Sequence, residues 1–299
     1  MQRPFASLVL ATVGRAAELQ PLLDSLIAQT DRDFELIVVD QNGDDRLEPV
    51  LQTITDAGIP LLHLRQSRPN LALARNAGIE RARGQMVGFP DDDCWYDAEL
   101  IARLRTAADG VDGVIGHWVE ELGPAQRDQG WLLDPRRWRR FRADTDISSI
   151  TLFLKADLLA RIGGFDPRLG VGCWYGAGEE TDLVLRALAA GARLLYSPTV
   201  QVHHAAQKLA AFSLAGCRSQ RRRARGTGGV LAKHRFAPPV VLRSLLGAPI
   251  RLWMRNTARP DAFVQGLFVS LGRLEGYLRW RLREQPFAEP TPADPRRAG

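Results

Sequence analysis

The sequence QMVGFPDDD, residues 85–93, joins a short apolar run to three consecutive aspartates. The apolar run predicts a buried β-strand, so the three carboxylates would stand at its carboxyl end. Adjacent carboxylates repel one another unless a cation compensates their charge. Aspartate also caps helices, and a helix is expected to begin near Asp97, but capping accounts for only one of the three. Mg²⁺ and Mn²⁺ take oxygen ligands of this kind together with phosphate oxygens, so the stretch predicts a cation site.

Strand and helix patterns alternate on the amino-terminal side of this stretch. The alternation predicts parallel βαβ units and an α/β fold, in which ligands bind outside the carboxyl ends of the strands. Asp40 ends one such strand, which would place it in the same crevice as Asp91–Asp93; a plain Asn-Gly turn is the alternative interpretation of its surroundings. The predicted strands are 7–13, 34–39, 59–64 and 85–89, and the predicted helices are 16–29, 47–57 and 70–82.

The pattern is weaker in the rest of the chain. Beyond residue 205 we expect helices whose apolar faces carry arginines. The predicted elements before that point are helices at 97–108 and 179–190 and strands at 111–119, 150–154, 193–196 and 200–203.

Composition excludes several classes of protein. The 299 residues are 45% hydrophobic and 25% charged, as in ordinary globular proteins and unlike disordered or fibrous chains. The three cysteines form no CxxC pair, which argues against a disulfide scaffold or a cysteine zinc site and favours a reducing, cytoplasmic location. The amino-terminal apolar run lacks the features of a signal peptide and is interpreted as a strand.

Charge is distributed unevenly along the chain. Residues 1–182 carry 20 basic and 29 acidic side chains, whereas residues 183–260 carry 14 basic and no acidic ones. A solvated basic face is one explanation, and contact with an anionic partner is the other. Apolar runs at 240–254 and 263–271 are too short to span a bilayer, which takes about 20 residues. They fit either core helices or helices that lie on an anionic membrane.

A second acidic motif, GAGEETD, occupies residues 176–182. Acidic residues in a first helical turn are favoured by the helix dipole, but one or two would suffice for that purpose. On a helix, Glu179 and Asp182 share a face and Glu180 points about 100° away. One of these carboxylates could therefore take a proton from a substrate while another orients Arg186.

Two adjacent histidines, His203 and His204, follow a strand-like run. On a strand they point to opposite faces, so at most one of them is expected to reach a given site. Either a structural or a ligand role fits such a residue.

Taken in order, these segments resemble family 2 glycosyltransferases with the GT-A fold, over approximately residues 5–205. The resemblance implies a Rossmann-like nucleotide-binding mixed sheet flanked by helices, here with a basic helical C-terminal extension. It also implies an inverting, Mn²⁺- or Mg²⁺-dependent transfer of a sugar from a nucleotide-diphosphate sugar. The segments that carry it are 7–15, 38–40, 70–78, 87–93, 163–166, 178–183 and 198–204.

The resemblance also assigns residues to roles. Glu180 stands where the family has the aspartate of a Glu-Asp pair, which makes it the expected general base, with Glu179 as the alternative and Asp182 as a further catalytic candidate. The expected metal ligands are Asp91, Asp93 and His204. The expected nucleotide-sugar contacts are Thr12, Asp40, Arg75 and Asp92.

We expect four parts in the chain. Residues 1–110 would bind the nucleotide-sugar, 111–205 the acceptor, 206–283 would form the basic helical extension and 284–299 a flexible tail. The expected acceptor is a glycan or a lipid-linked molecule, and the expected location is the cytoplasm, with an anionic membrane surface as a further partner.

Several aromatic residues could contact the acceptor. Trp131, Trp138 and Phe141, with the four arginines at 136–140, could do so or could belong to a surface helix whose arginines reach the solvent. Trp174 and Tyr175 could stack on an acceptor sugar or pack in the core.

Two alternatives stay open from the sequence. A sugar-phosphate nucleotidyltransferase would have the same fold, although its glycine- and arginine-rich loop after the first strand is missing. A nucleic-acid-binding protein could use the basic cluster at 218–235, but that function leaves both acidic motifs unexplained.

Overall fold

The computed structural model describes residues 3–122, 129–141, 147–205, 212–255 and 260–284. Within these residues the strands form one nine-stranded mixed sheet in the order β3-β2-β1-β4-β8-β6-β9-β5, with β7 paired to β9. The strands are β1 (Ala6–Thr12), β2 (Phe34–Asp40), β3 (Leu61–Arg65), β4 (Met86–Gly88), β5 (Cys94–Tyr96), β6 (Gly113–Trp118), β7 (Trp131–Leu132), β8 (Leu152–Lys155) and β9 (Leu194–His204).

Helices cover both faces of the sheet and form the C-terminal part of the chain. Single 3-10 turns lie at Ala17–Leu19 and Ser149–Thr151. The α-helices are α1 (Gln20–Ile27), α2 (Glu48–Asp56), α3 (Leu71–Arg81), α4 (Leu100–Ala107), α5 (Val119–Leu122), α6 (Pro135–Arg139), α7 (Ala156–Ile162), α8 (Glu179–Ala189), α9 (Leu214–Lys233), α10 (Pro238–Arg255) and α11 (Pro260–Arg283).

The amino-terminal half is a parallel α/β unit, as the alternating pattern predicts. Strands β3, β2, β1 and β4 are parallel neighbours, and Thr12 stands opposite Asp40 in the register of β1 and β2. Side chains alternate along β1 between two cores, because successive residues of a strand point to opposite faces. Leu8 and Leu10 belong to one core, and Val9 and Ala11 belong to the other.

The second half of the sheet is mixed. Strand β8 is antiparallel to β4 and β6, whereas β6 and β9 are parallel. The sheet therefore runs continuously across residue 110, and the division of the chain at that point stays a prediction.

Strand β9 corrects one prediction from the sequence. The runs at 193–196 and 200–203 are parts of one strand, Leu194–His204, which continues through Pro198. The register against β6 shifts here, from Ile115 opposite Tyr196 to His117 opposite Gln201. Proline has no amide hydrogen to donate to the ladder, and an irregular register accommodates it. The end of β9 pairs with β5, which sets His204 opposite Cys94.

Three helices form the C-terminal extension, as expected from the sequence. Helices α9 and α11 pack closely because their contacts are built on glycines: a β-carbon on Gly228, Gly272 or Gly276 would collide with the backbone of the facing helix. On the other side of α11, Gly266 packs against Pro249 of α10. None of the described helices is both long and apolar enough to cross a membrane. Of the predicted tail, residues 285–299 lie outside the described part of the chain.

Candidate active site

The acidic stretch after β4 lies beside the carboxyl end of β1. The Thr12 hydroxyl donates to Asp92 Oδ2 at 2.8 Å, which joins the two strand ends. Burial raises the pKa of Asp92, and this hydrogen bond and the positive charge of Arg15 oppose the rise. The carboxyl edge of the parallel strands is therefore an acidic crevice, where the fold rules for open α/β sheets expect a ligand.

Arg15 is the cation that faces this crevice. Its Nη1 lies 2.7 Å from Asp92 Oδ1 and 2.8 Å from Asp93 Oδ2, and the side chain is partly exposed. Sequence reasoning missed Arg15. The available signal was a basic residue in the turn after β1, next to Gly14, whose φ of 76° suits glycine.

His204 lies on the other side of Asp93. Its Nε2 is 2.8 Å from Asp93 Oδ1, and its Nδ1 is 2.9 Å from the backbone oxygen of Ala205. If Nδ1 donates to this carbonyl, the neutral ring presents a lone pair on Nε2 to a carboxylate oxygen. Two hydrogen-bond acceptors as close as His204 Nε2 and Asp93 Oδ1 need a proton or a cation between them. Metal-binding histidines commonly use their second nitrogen in this way, to donate to a backbone carbonyl.

His203 has a different environment, as the alternation along a strand predicts. Its ring nitrogens lie 3.0 Å from Asp97 Oδ1 and 2.9 Å from Glu120 Oε1, and the ring stacks on Trp95. Burial alone would lower the pKa of His203, but the hydrogen bonds to Glu120 and Asp97 raise it. His203 therefore holds α5 against the sheet and leaves the crevice to His204.

A divalent cation fits Asp93 and His204 as a pair of ligands. Mg²⁺ is usually held by one or two protein ligands together with substrate phosphates, so two are sufficient. The structure does not bring Asp91 into this set, contrary to the three-ligand prediction: among the described residues no three His, Cys, Asp or Glu side chains converge as a metal cluster. Instead Asp91 Oδ1 lies 3.3 Å from Arg75 Nη2.

Arg75 is buried beneath the crevice, with 1% of its surface exposed. Its Nη2 donates to Ser149 Oγ at 2.7 Å, and its Nη1 lies 3.7 Å from Glu179 Oε1. The guanidinium faces protein groups, and the predicted contact with the nucleotide-sugar stays a prediction. Arg75 is therefore a positioning residue that connects Asp91 to α8.

Glu179 is the most perturbed carboxyl group of the site. It is 3% exposed, and burial, followed by the charge of Glu180, raises its pKa to about 8 against the opposing charge of Arg75. Among the described buried atoms, Glu179 Oε2 and Arg75 Nε and Nη1 have no hydrogen-bond partner. Strongly perturbed carboxyl groups at a crevice are typical of functional sites.

Glu180 follows in the first turn of α8 and is only partly buried. With burial, its negative charge contributes to the raised pKa of Glu179. The helix begins after Gly178, whose φ of 95° is open to glycine but strained for other residues. The two acidic side chains thus differ in exposure: one is held inside the protein and the other reaches its surface.

Asp182 has the environment of a structural residue, and its place among the catalytic candidates stays a prediction. Its carboxylate is fully buried, with Oδ2 2.9 Å from Arg186 Nε and Oδ1 within 2.8 Å of Lys233 and His234. Although burial opposes it, contacts with these three cationic or hydrogen-bonding groups hold the pKa of Asp182 well below its usual range. Asp182 therefore ties α8 to the end of α9.

Asp40 and Thr12 are both buried at the strand ends. Asp40 is fully buried: Oδ1 accepts from the backbone and side-chain nitrogens of Asn42, both at 2.8 Å, and Oδ2 lies 3.1 Å from His63 Nε2. Thr12 is 2% exposed. Both side chains shape the loops at the strand ends, and their contact with a nucleotide-sugar stays a prediction.

Most of the aromatic side chains considered for the acceptor belong to the core. Trp138 and Tyr175 are buried, Trp131 packs on Tyr196, and Phe141 packs on Phe236. Trp174 is half-buried, with the guanidinium groups of Arg225 and Arg279 4.4 and 4.3 Å from its ring centre. Acceptor binding by the aromatic residues at 131–141 stays a prediction.

Comparison with known proteins agrees with this geometry. The family model described as "Glycosyl transferase family 2" matches residues 7–151. The putative glycosyltransferase EpsH of Bacillus subtilis is 30% identical over 135 residues, which cover 45% of this chain and 38% of that protein. The chain thus spans less than half the length of this relative.

Two solved structures show the same fold. The mannosyltransferase PcManGT from Pyrobaculum calidifontis, in complex with GDP-Man and Mn²⁺, is 18% identical with a TM-score of 0.64, covering 95% of this chain and 89% of that one. Residues 1–349 of S. aureus TarS, in complex with UDP-GlcNAc, are 16% identical with a TM-score of 0.55, covering 92% and 90%. The mixed sheet with its flanking helices is the GT-A fold, and residues 7–151 match the model of glycosyl transferase family 2.

Proposed function

We propose that this chain is an inverting glycosyltransferase of polysaccharide or glycolipid assembly. It would move a sugar from a nucleotide-diphosphate sugar to a hydroxyl group of a glycan or lipid-linked acceptor. One observation carries the proposal: the buried guanidinium of Arg75 lies 3.3 Å from Asp91 and 3.7 Å from Glu179. The aspartates after β4 and the acidic pair of α8 therefore belong to one site rather than to two.

The donor side of the site is the crevice around Asp93. Asp93 and His204 would hold Mn²⁺ or Mg²⁺, and the bound ion would neutralise charge on the departing diphosphate. The PcManGT complex, which contains GDP-Man and Mn²⁺, supports this assignment. Arg15 adds a partly exposed positive charge at the same edge, and arginine is well suited to bind phosphate oxygens.

The acceptor side is the first turn of α8. With a pKa of about 8, Glu179 keeps its proton near neutral pH. Glu180 is the partly exposed member of the pair, so its carboxyl group is the one that an acceptor hydroxyl could reach to transfer a proton. This division of roles favours Glu180 over Glu179 as the general base.

The proposed step is a single displacement. The acceptor oxygen bonds to the anomeric carbon from the face opposite the diphosphate, and the bond from that carbon to the diphosphate oxygen breaks. The acceptor proton passes to Glu180, and the nucleoside diphosphate leaves with the electron pair of the broken bond. The anomeric configuration is inverted, and no enzyme nucleophile is required.

The structure weakens the nucleic-acid alternative. Within the 218–235 cluster, Arg221 and Arg225 pair with Glu275, and Lys233 pairs with Asp166 and Asp182. These cations stabilise the fold, so the cluster presents less basic surface than its sequence indicates.

A donor-hydrolysis screen tests the proposal. The purified chain is incubated with UDP-, GDP- and dTDP-sugars in the presence of Mn²⁺, Mg²⁺ or EDTA, and nucleoside diphosphate release is measured. We expect release from at least one sugar nucleotide, abolished by EDTA and by Asp93→Asn. Release that survives both treatments would contradict the metal assignment, and release from no donor would contradict the proposed activity.

A further inference from the structure

Helices α10 and α11 present an unusual surface. Between residues 240 and 280, every exposed side chain that the structure describes is apolar. On α10 these are Leu242, Leu246, Ile250 and Met254, and on α11 they are Pro260, Phe263, Val264, Leu267, Leu271, Leu274 and Leu278. We call these eleven side chains the apolar face.

The two rows of the apolar face open to the same side. On α10 the row repeats every four residues, and on α11 every three or four, so each follows one side of its helix. The helices meet along another line, where Ser270 donates to the backbone oxygen of Leu245 and Arg273 donates to that of Ser244. At 100° per residue, the row on α10 lies roughly 150° around its helix from this line and the row on α11 lies roughly 100° around its own. Because the helices are antiparallel, both rows face the solvent on the outer side of the pair.

The described residues of the three C-terminal helices and the adjoining Glu284 expose several basic side chains, whereas the acidic side chains among them, Asp261, Glu275 and Glu284, are partly buried. Arg281 and Arg283 are exposed at the end of α11, and α9, which packs along α11, adds exposed Arg218, Arg222 and Arg223. Residues 183–260 contain no Asp or Glu. A second copy of the chain on this face would bring like charges together, whereas an anionic surface would complement them.

An apolar patch of this extent is rare on soluble monomers and marks an interaction surface. We propose that the apolar face lies on the surface of an anionic membrane. The aliphatic side chains would enter the boundary between headgroups and acyl chains, and the exposed arginines of α9 and α11 would be attracted to the lipid phosphates. This is a surface contact and requires no membrane-spanning helix.

The fold connects this face to the candidate site. Gly226 of α9 packs against Ala177, Val230 packs against Gly178, and Lys233 pairs with Asp182 of α8. A membrane contact through α10 and α11 would therefore fix the orientation of the Glu179–Glu180 turn relative to the lipid. The membrane proposal itself is independent of sugar transfer and is tested without a donor.

Vesicle flotation tests the membrane contact. The full chain is mixed with vesicles of phosphatidylcholine containing 30% phosphatidylglycerol, and the bound fraction is measured against lipid concentration. We expect Leu267→Glu/Leu271→Glu to lower the partition coefficient about tenfold or more. Both leucines are already exposed, so the change leaves the core intact. The matched control is Leu62→Glu/Leu132→Glu, which makes the same charge change at exposed positions on β3 and β7 and should bind like the parent.

Two further measurements define the result. Replacing Arg218, Arg222 and Arg223 by Ser should weaken binding to the anionic vesicles, and the parent should bind pure phosphatidylcholine less well. Equal binding of the α11 variant and its control would overturn the proposal. So would a dimer, seen by light scattering, that the α11 variant dissociates without losing vesicle binding. Unchanged donor hydrolysis by the α11 variant, together with lost flotation, would support the membrane contact separately from the enzymatic proposal.

Discussion

The guanidinium of Arg75 and the carboxyl group of Glu179 face each other inside the protein, with Nη1 3.7 Å from Oε1 and both side chains almost completely buried. A charge pair at ordinary hydrogen-bond distance would lower the pKa of the acid. Here burial dominates, and the pKa of Glu179 rises to about 8. Glu179 therefore keeps its proton near neutral pH. It lies next to Glu180, at the point where the proposed reaction needs a base.

The raised pKa of Glu179 predicts a pH dependence of stability. The group holds its proton up to about pH 8 in the folded chain but loses it near its ordinary value of 4.5 when unfolded. The folded state thus binds more protons between these values, and the free energy of unfolding should fall as the pH rises from 5 to 8. We expect the free energy of unfolding, measured with urea at pH 5, 6.5 and 8, to fall less with pH in Glu179→Gln than in the parent. Glu80→Gln, at an exposed position, should keep the slope of the parent, and equal slopes in all three proteins would contradict the prediction.

The two acidic residues should differ in catalysis. Glu180→Gln keeps size and hydrogen bonding but cannot accept the acceptor proton, so the transfer rate should fall by roughly 10²–10⁴-fold with donor binding nearly unchanged. Glu179→Gln should have a milder effect, since a protonated acid and an amide are both uncharged. Transfer kinetics and calorimetric donor binding measure the two effects. The opposite ranking would make Glu179 the base, and weak donor binding by both variants would assign the pair to the donor site.

The two histidines at the end of β9 form a matched test of the metal site. His204→Gln and Asp93→Asn should lower Mn²⁺ affinity and reduce metal-dependent turnover by orders of magnitude, because both groups would bind the ion. His203→Gln removes the contacts with Asp97 and Glu120 on the opposite face and should leave Mn²⁺ affinity close to that of the parent. Electron paramagnetic resonance of free Mn²⁺ gives the affinities. Equal losses at the two histidines would refute the assignment.

Arg15 should compete with the metal ion when no donor is present. Its guanidinium contacts the carboxylates of Asp92 and Asp93. Arg15→Ala should therefore raise the affinity for Mn²⁺ alone several-fold, whereas Arg15→Lys, which keeps the charge, should raise it less. The same resonance titration measures both variants. A lower Mn²⁺ affinity in Arg15→Ala would show that Arg15 supports the site instead of competing for it.

Asp182 should matter for stability rather than for chemistry. Asp182→Asn leaves Arg186, Lys233 and His234 without their shared buried counter-charge, and losing one member of such a network costs about 3–5 kcal/mol. Urea unfolding should show this loss, and Asp56→Asn, on exposed α2 surface, should not. At low temperature, where the variant stays folded, its turnover should remain within a few-fold of the parent. A large loss of turnover with unchanged stability would instead indicate a catalytic role for Asp182.

Local patterns predicted the elements of the fold well. The alternation of apolar runs placed β1, β2 and the acidic stretch at 91–93 correctly, because strands and helices follow short sequence periods. The short elements β5, β7 and α5 were missed, and α6 was only one of two interpretations of its stretch. The continuity of β9 was also missed, because it depends on pairing with β6 around Pro198. A proline within a run argues for a break, and only the neighbouring strand shows how the ladder adapts to it.

The site was less predictable than the fold, because its properties depend on neighbours distant in sequence. Motif positions brought Asp93 and Glu179 into consideration, but no spacing rule shows that Arg15 reaches Asp93 or that Arg75 lies beneath the crevice. The spacing that made Asp182 a catalytic candidate also fits a structural ion pair. Its partner Lys233 lies 51 residues further along the chain, so the sequence could not predict this contact.

The irregular register of β9 around Pro198 has a consequence for insertions and deletions. Between this irregularity and the end of the strand, alternation alone determines which histidine faces Asp93. Suppose that one residue is removed between Pro198 and Val202 and that the pairing of β9 with β5 shifts by one residue. His203 and His204 would then point to exchanged faces of the sheet, because a one-residue shift moves every side chain of a strand to the other face. The length of this segment is therefore as constrained as the identity of His204, and we expect insertions or deletions there to involve an even number of residues.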